Sequence, residues 1–482
     1  MLHKGKVKSA FKWQVLNISL QAILQFVFIM LSARVLPKEI HGAFAIINSF
    51  VFVLSITSEG GVSNALIQRQ DINKNHVSIS FYITMFLSLF MFLSIAGFSK
   101  PIAQFYDEKV TATELVWASL IFIFKAWGSV SRAFLIRDFK FKQLFVSNNL
   151  SFFLGNIVMM YVLSKLGFGI YALIFGFIGT QFFQSMLYFY YAKHSLRWHW
   201  RKEEFNQIFK FGSGFMLLKI TNYVSAQIDK LLIGKYFSVT ALSIYEKGQF
   251  ISKMPPKYVG NSMDAIMFSA FSKINDLKQK NKYFAQIVMA VMTAVTFFAV
   301  WWYYNATVLV RFILGDNWLD AVPYLEIFAF VMPAIILGRL GDIIVRSENK
   351  MFSGIPIKLG FMTGIIASVF MFKDKDLLLL TVMVVIVFWL HGFAMLALSW
   401  HILKSKIRQY YLAILAPIAV GLFFGVKNYL LRFLTTNDLY LTGIIILSDA
   451  LIIGVALYIF RDHPMLKSAL AQIKSKISKL RN

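Results

Sequence analysis

Two apolar stretches near the middle of the chain carry ionisable side chains at helical spacing. Lys219, Asn222, Ser225 and Asp229 stand three, three and four residues apart, and Glu246, Gln249, Lys253 and Lys257 stand three, four and four apart. Each set forms one polar stripe on an otherwise apolar helix. A charged side chain at the centre of a bilayer costs at least ~2.5–3.5 kcal/mol on insertion scales, so such stripes face a bundle interior or a wet cavity. The chemistry they suit is binding rather than bond making: ammonium groups for an anion, carboxylates for protons or cations, amides for hydroxyls. Pairing of the two stripes with each other, with no transport role, is the competing explanation.

Depth sharpens the first of these. Counted at about 1.5 Å per residue from the predicted cytoplasmic end of each span, Lys219, Lys253 and Lys125 all come to ~12 Å. Three ammonium groups at one depth make a landing site for a diphosphate. Asp229 and Glu246 come to ~27 Å and ~22 Å, toward the outer face, where they are expected to take up the coupling ion that resets a carrier. Lys230 and Lys247 each adjoin one of these acids; neighbours on a helix point about 100° apart, so both are assigned to a different face. Lys125 also has a plainer reading, as a side chain that snorkels or pairs with a neighbour.

The first part of the chain repeats the theme without charge. Gln14, Asn17, Gln21 and Gln25, spaced three, four and four, share one face of the first span, and Asn48, Ser55 and Glu59 share a face of the second. Gln14, Asn17, Gln21 and Gln25, with Asn222 and Gln249, are expected to hydrogen-bond a hydroxyl-bearing cargo. Interhelical hydrogen bonds, worth only ~0.6 kcal/mol each on average, would produce the same stripes.

The elements that must position these residues are membrane spans. The chain has 482 residues, 58% apolar and 15% charged, with a mean hydropathy of +0.64; soluble domains carry roughly 25% charge. About 20 mostly apolar residues cross a bilayer, and that length places spans near 12–33, 41–59, 77–98, 112–133, 145–164, 168–191, 211–233, 240–261, 284–304, 319–338, 352–372, 377–400, 410–430 and 438–460. Alternate loops hold 31 and 11 Lys plus Arg. That asymmetry puts both termini in the cytoplasm, requires an even number of spans, and accounts for the net charge of +26 without nucleic acid. A faint repeat aligns Phe11-Lys12-Trp13 with Phe209-Lys210-Phe211, and Arg34, Gly42 and Phe44 with Lys235, Ser243 and Tyr245. The expected organisation is an all-α integral membrane protein: a six-helix lobe (1–191), a cytoplasmic linker (192–210), a second six-helix lobe (211–402), and two further helices with a basic tail (403–482). Chance similarity between two amphipathic span starts would also give the repeat.

Several chemistries are excluded. There is no cysteine, hence no thiolate metal site, disulfide or Cys nucleophile. No GxxxxGK[ST], HExxH or GxSxG occurs. Gly167-Phe168-Gly169 with Ala172 opens an apolar span rather than following a strand, so it is not a dinucleotide fingerprint. Asp374-Lys375-Asp376 occupies a short loop with no domain behind it and reads as a solvated turn. The eight His show no ligand spacing. No metal, cofactor or catalytic residue is expected.

Several segments in order resemble the Wzx-type bacterial polysaccharide exporters of the multidrug/oligosaccharidyl-lipid/polysaccharide superfamily, nearest the colanic-acid and teichuronic-acid branch. They are ARVLPKEIHGAFAI around Arg34, GVSNALIQR ending at Arg69, AFLIRDFKFK from Ala133 to Lys142, DKLLIGKYFSVTALSIYEKGQFISKMP from Asp229, FSAFSKI from Phe268 and LGDNWLDAVPYLEIFAF from Leu314. Ser238-Val239-Thr240 stands where that branch usually has a Gly-rich turn. The resemblance implies a two-lobed bundle with a central cavity opened alternately to either side. It implies a cargo of undecaprenyl-diphosphate-linked oligosaccharide, flipped to the outer leaflet of the bacterial inner membrane for surface polysaccharide synthesis and driven by a proton or sodium gradient. Membrane lipid, a polysaccharide polymerase and glycosyltransferases are the partners it suggests.

Two rivals stay open. A cation-coupled drug exporter of the same fold would carry a cargo that inner-half lysines repel. A membrane glycosyltransferase or polymerase would need a large polar loop, and the longest interruptions, 192–210 and 262–283, fall short of the ~50 residues of a folding domain.

Overall fold

The computed structural model describes residues 4–59, 61–68, 72–194, 202–405, 410–434 and 437–459. Helices account for nearly all of them. In chain order these are α1 (Lys4–Val35), α2 (Lys38–Glu59), α3 (Val62–Gln68), α4 (Lys74–Phe105), α5 (Ala112–Ser119), α6 (Ile121–Arg137), α7 (Phe141–Phe152), α8 (Met160–Lys165) and α9 (Ile170–Tyr191). There follow α10 (Lys202–Tyr236), α11 (Val239–Phe271), α12 (Leu277–Tyr304), α13 (Ala306–Ile313), α14 (Val322–Ala329), α15 (Val331–Ser347), α16 (Ile355–Phe372), α17 (Leu377–Ile402), α18 (Tyr411–Leu431) and α19 (Asp438–Ile459). Among the described residues, eleven stretches are long and apolar enough to cross a membrane. They do not include α10 and α11, which carry the charged stripes although 35 and 33 residues long.

The helix boundaries follow local chemistry. Asn73 and Thr111 form capping boxes with His76 and Glu114 that start α4 and α5, satisfying amides that the first turn of a helix leaves bare. Asp376 caps α17 by accepting from Leu378 N at 3.0 Å, which gives the Asp374-Lys375-Asp376 triplet a turn-and-cap role. Three features were not anticipated from the sequence. α3 is a separate short helix. Phe153–Met159 is a π-helical insert between α7 and α8. The span expected at 319–338 is assembled from a 3₁₀ turn (Asp316–Ala321), α14 and α15, with the short α13 standing before it. Pro255 and Pro256 lie inside α11, where each removes a backbone donor just beyond Lys253.

Packing differs between the two ends of the bundle. At the predicted outer face one apolar cluster joins the early and late helices: Ile46 and Ile47 of α2, Tyr106, Phe122 of α6, Ile233 of α10, Tyr245 of α11 and Val369 of α16. A Cβ on Gly42 would lie 1.8 Å from the carbonyl oxygen of Val239, so only glycine lets the starts of α2 and α11 touch. Toward the predicted cytoplasmic face the clusters are local. Phe271, Phe284, Ile344 and Tyr410 belong to one, and Leu66, Phe81, Val130 and Ala133 to another. Among the described residues the broad cluster joining early and late helices is the one at the predicted outer face; at the other end Phe205 of α10 packs against the smaller cluster of Val62 and Ile79.

Candidate functional site

Asp229 on α10 is 3% exposed and is held from three sides. Tyr245 donates its hydroxyl (3.0 Å), Gln249 its amide (2.6 Å), and the backbone N–H of Lys230 completes the set (2.9 Å). Gln249 is 1% exposed and also donates to the Tyr245 hydroxyl at 3.1 Å. It was expected to meet a sugar; its amide is instead spent on the carboxylate, because α10 and α11 pack face to face there. Glu246 pairs with Lys230 at 3.7 Å and Lys247 at 3.5 Å. This corrects the assignment of those lysines to another face: long flexible stems carry an ammonium round the helix to an acid that backbone directions alone would not bring near. One residue from each stripe, Asp229 and Gln249, thus satisfies the other, while Lys257 at the end of the second stripe is exposed.

Lys253, farther along α11, points into an open cavity of about 370 Å³, its ammonium 4.7 Å from the Phe388 ring centroid. Ser225 of α10, Arg339 and Asp342 of α15, Lys358 of α16 and His391 of α17 line the same space. Its charges are networked: Asp342 meets Lys358 at 3.3 Å and Arg346 at 2.8 Å, and Asp264 meets Arg346 at 3.4 Å.

On the other side of α10 lies a second cavity of about 300 Å³, lined by Lys125, Arg132, Gln181, Gln184, Tyr188 and Tyr223, with serines between them. Lys125 donates to Ser55 Oγ at 3.2 Å. Gln184 donates to Asn148 Oδ1 at 3.0 Å, and Tyr188 donates to the same oxygen. A cation and a run of amides and hydroxyls thus face one space. Lys125 and Lys253 occupy different cavities, with α10 as the partition: Tyr223 faces one, Ser225 and Ala226 the other. The side chains of Lys219, Asn222 and Glu59 lie outside the described residues.

The uncharged stripe of α1 divides. Gln14 is exposed. Asn17 is 8% exposed and accepts from Asn149 Nδ2 at 3.0 Å, a helix–helix contact with α7 rather than a place for a sugar. Gln21 is half-buried. Gln25, with Asn48, Asn156 of the π-helical insert and Glu246, lines a smaller cavity of about 130 Å³ under the sealed end. The sequence reading passed over Gln181, Gln184 and Tyr188, although they are spaced three and four on α9, and Arg339 and Asp342, spaced three on α15. The periodicity that found the other stripes would have found these. A further cavity of about 380 Å³ between α12, α15, α17 and α18 is walled by Met292, Pro333, Trp389, Phe393 and Pro417 and is almost wholly apolar.

The sealed end is also tied by polar contacts between early and late helices. Lys38 meets Asp320 at 2.6 Å, Trp318 donates its indole N–H to Ala33 O at 2.9 Å, and Arg34 donates to Phe312 O at 2.9 Å.

Residues 31–323 match the model of a family described as polysaccharide biosynthesis protein. The succinoglycan biosynthesis transport protein ExoT of Rhizobium meliloti is 24% identical over 66% of this chain; the match spans 64% of that protein, just under two thirds of its length. The teichuronic acid biosynthesis protein TuaB of Bacillus subtilis is 22% identical over 98% of this chain and 97% of its own. The lipopolysaccharide biosynthesis protein WzxC of Escherichia coli is 20% identical over 68% and 67%. Among solved structures, the lipid II flippase MurJ in an inward closed conformation superposes with a TM-score of 0.73 at 16% identity, covering 93% of this chain and 98% of that one. An inward-facing multidrug resistance MATE family transporter of the MOP superfamily gives 0.63 at 11% identity over 80% and 94%. At these identities the structural likeness establishes the fold, an all-helical multi-pass membrane bundle.

Proposed function

We propose that this chain, which belongs to the family described as polysaccharide biosynthesis protein, is a transporter rather than an enzyme and flips a diphosphate-linked oligosaccharide from the cytoplasmic to the outer leaflet of a bacterial inner membrane by alternating access. Fourteen spans, both ends of the chain cytoplasmic, form two six-helix lobes (1–191 and 211–402) joined by 192–210, with the last two helices appended. The observation that carries the proposal is the pair of cation-bearing cavities flanking α10 beneath a sealed outer end.

Hydrocarbon rejects a glycan because each unpaired polar group costs several kcal/mol there. The amide- and hydroxyl-lined cavity of α6 and α9 replaces water around the sugars. Lys253, with Arg339 and Lys358 near it, takes the diphosphate, with Lys219 as a further cation for it, while Lys125 across α10 serves the polar cavity that holds the sugars. The apolar cavity between α12 and α18 suits the prenyl chain. Asp229 and Glu246 are the carboxylates through which a coupling ion would act. Cationic linings disfavour the drug-exporter alternative, whose cargo is itself cationic.

Reconstitution with a defined lipid-diphosphate glycan under imposed proton or sodium gradients tests this. Lys253→Ala is expected to slow flipping at least ~10-fold, the cost of losing one charge-assisted hydrogen bond to phosphate. Unimpaired flipping by Lys253→Ala and Lys125→Ala together would remove the site. A cell lacking the protein is expected to accumulate full-length lipid-linked units facing the cytoplasm; truncated units would point to a missing transferase.

A further inference from the structure

The turn between α10 and α11 contains no glycine: it runs Tyr236-Phe237-Ser238-Val239. A helix end leaves its last carbonyls without intrahelical donors, and a glycine in the left-handed region is the common local remedy. Here the donors come from elsewhere in the chain. The ammonium of Lys109, in the loop between α4 and α5, donates to the carbonyls of Gly234 at 3.1 Å, Lys235 at 2.8 Å and Phe237 at 3.0 Å. All three of its protons are used at one helix C-terminus, where a cation also meets the negative end of the helix dipole.

The loop is built around this contact. Tyr106 is 2% exposed and donates its hydroxyl to Leu231 O at 3.1 Å. Asp107 returns the interaction by accepting from Lys235 at 2.9 Å. Asp107 and Glu108 both adopt left-handed backbone angles, φ +53° and +57°, a conformation that costs non-glycine residues energy and persists where surrounding contacts hold it. The helix so capped is the one whose Tyr223 and Ser225 divide the two cavities.

We infer that Lys109 is the latch of the outer gate, a positioning residue that caps α10 from the opposite half of the chain and thereby holds the cavities closed to the outside. The inference rests on the transport reading above. Opening the outer face requires α10 to leave the 106–110 loop, and the three carbonyls then turn to water. The cost of breaking this cap sets how often the gate opens.

The chain has no cysteine, so single cysteines report access without background. In full-length protein in oriented vesicles, Ser243→Cys, buried in the sealed end, reports labelling by a membrane-impermeant maleimide from outside. Ser63→Cys, in the wall of the polar cavity, reports access from the cytoplasmic side. Lys109→Met keeps the stem and removes the charge. It is expected to raise outside labelling about three- to tenfold, the scale set by losing a cation at a helix C-terminus, and to lower labelling from the other side. Lys109→Arg restores the wild-type pattern. Gly42→Leu, which cannot close past Val239, marks the fully open limit. Unchanged outside labelling in Lys109→Met overturns the inference, and so does a rise at both reporters, which would mean a loosened fold rather than a released gate. Labelling needs no cargo, so this result stands apart from the flipping assay.

Discussion

A buried carboxylate with three hydrogen-bond donors is a poised group. Asp229 holds Tyr245, Gln249 and a backbone amide in place, and leaving one buried polar partner without its hydrogen bond costs about 1–3 kcal/mol. Removing the Tyr245 hydroxyl with Tyr245→Phe is therefore expected to destabilise the protein by ~2 kcal/mol, read as a lower Tm in detergent. If Asp229 also serves the coupling ion, Asp229→Asn will abolish gradient-driven accumulation of cargo while exchange without a gradient continues. Loss of both activities together would assign it a structural role alone. At this scale the spacing pointed to Asn17, Asp229 and Gln249, which are buried, but also to Gln14 and Lys257, which are exposed. It did not disclose whether a neighbouring helix or a cavity meets them. Gln249 and Lys253 lie four apart on one stripe, yet one is sealed against Asp229 and the other lines an open space.

Elements meet at the sealed end through loops as much as through helices. Asp107 lies fully at the surface, and its hydrogen bond from Lys235, followed by the charges of Lys235 and Lys109, holds its carboxyl below the ordinary aspartate value. A carboxyl whose pKa is depressed by folding contributes to the folded arrangement above its unfolded value, and that contribution fades as pH falls through the depressed one. The outer loop contact is accordingly expected to be intact at neutral pH and to weaken below the usual carboxylate range. Hydrogen exchange at the Tyr236–Val239 turn should quicken on acidification, and Asp107→Asn should show the same rate at neutral pH and lose the acid dependence. An acid response that persists in Asp107→Asn would place its origin elsewhere. The basic residues of these loops were visible in the sequence as orientation signals; their use as caps and ties was not, because the partners lie more than a hundred residues away.

At the scale of the whole molecule, the two ends of the bundle are unlike. One is closed by an apolar cluster joining early and late helices, and the other holds local clusters with polar cavities between them. On the expectation that the more basic set of alternate loops faces the cytoplasm, the end with the polar cavities is the cytoplasmic one. Epitope tags at the two termini should therefore be protected from protease in intact spheroplasts and cut after permeabilisation. Cleavage of either tag in intact cells would reverse or break the topology. Expectations for helices long enough to span hold for most of the chain. They blur where segments fragment, as between Asp316 and Ser347, because a short 3₁₀ turn and two helices read as one apolar run.

Sequence by itself determined the medium. Apolar runs of spanning length and scarce charge leave a polytopic helical membrane protein, since backbone polar groups in a bilayer must be satisfied within the chain and stray charges are costly there. Tertiary structure decided the grouping. It put Lys125 and Lys253 on opposite sides of α10, gave Gln249 to Asp229, turned Lys230 and Lys247 to Glu246, and brought Lys109 to a helix end beyond the reach of any local pattern. Periodicity carries the direction of a side chain along its own helix, whereas the identity of what it meets is fixed by how helices far apart in the chain pack together.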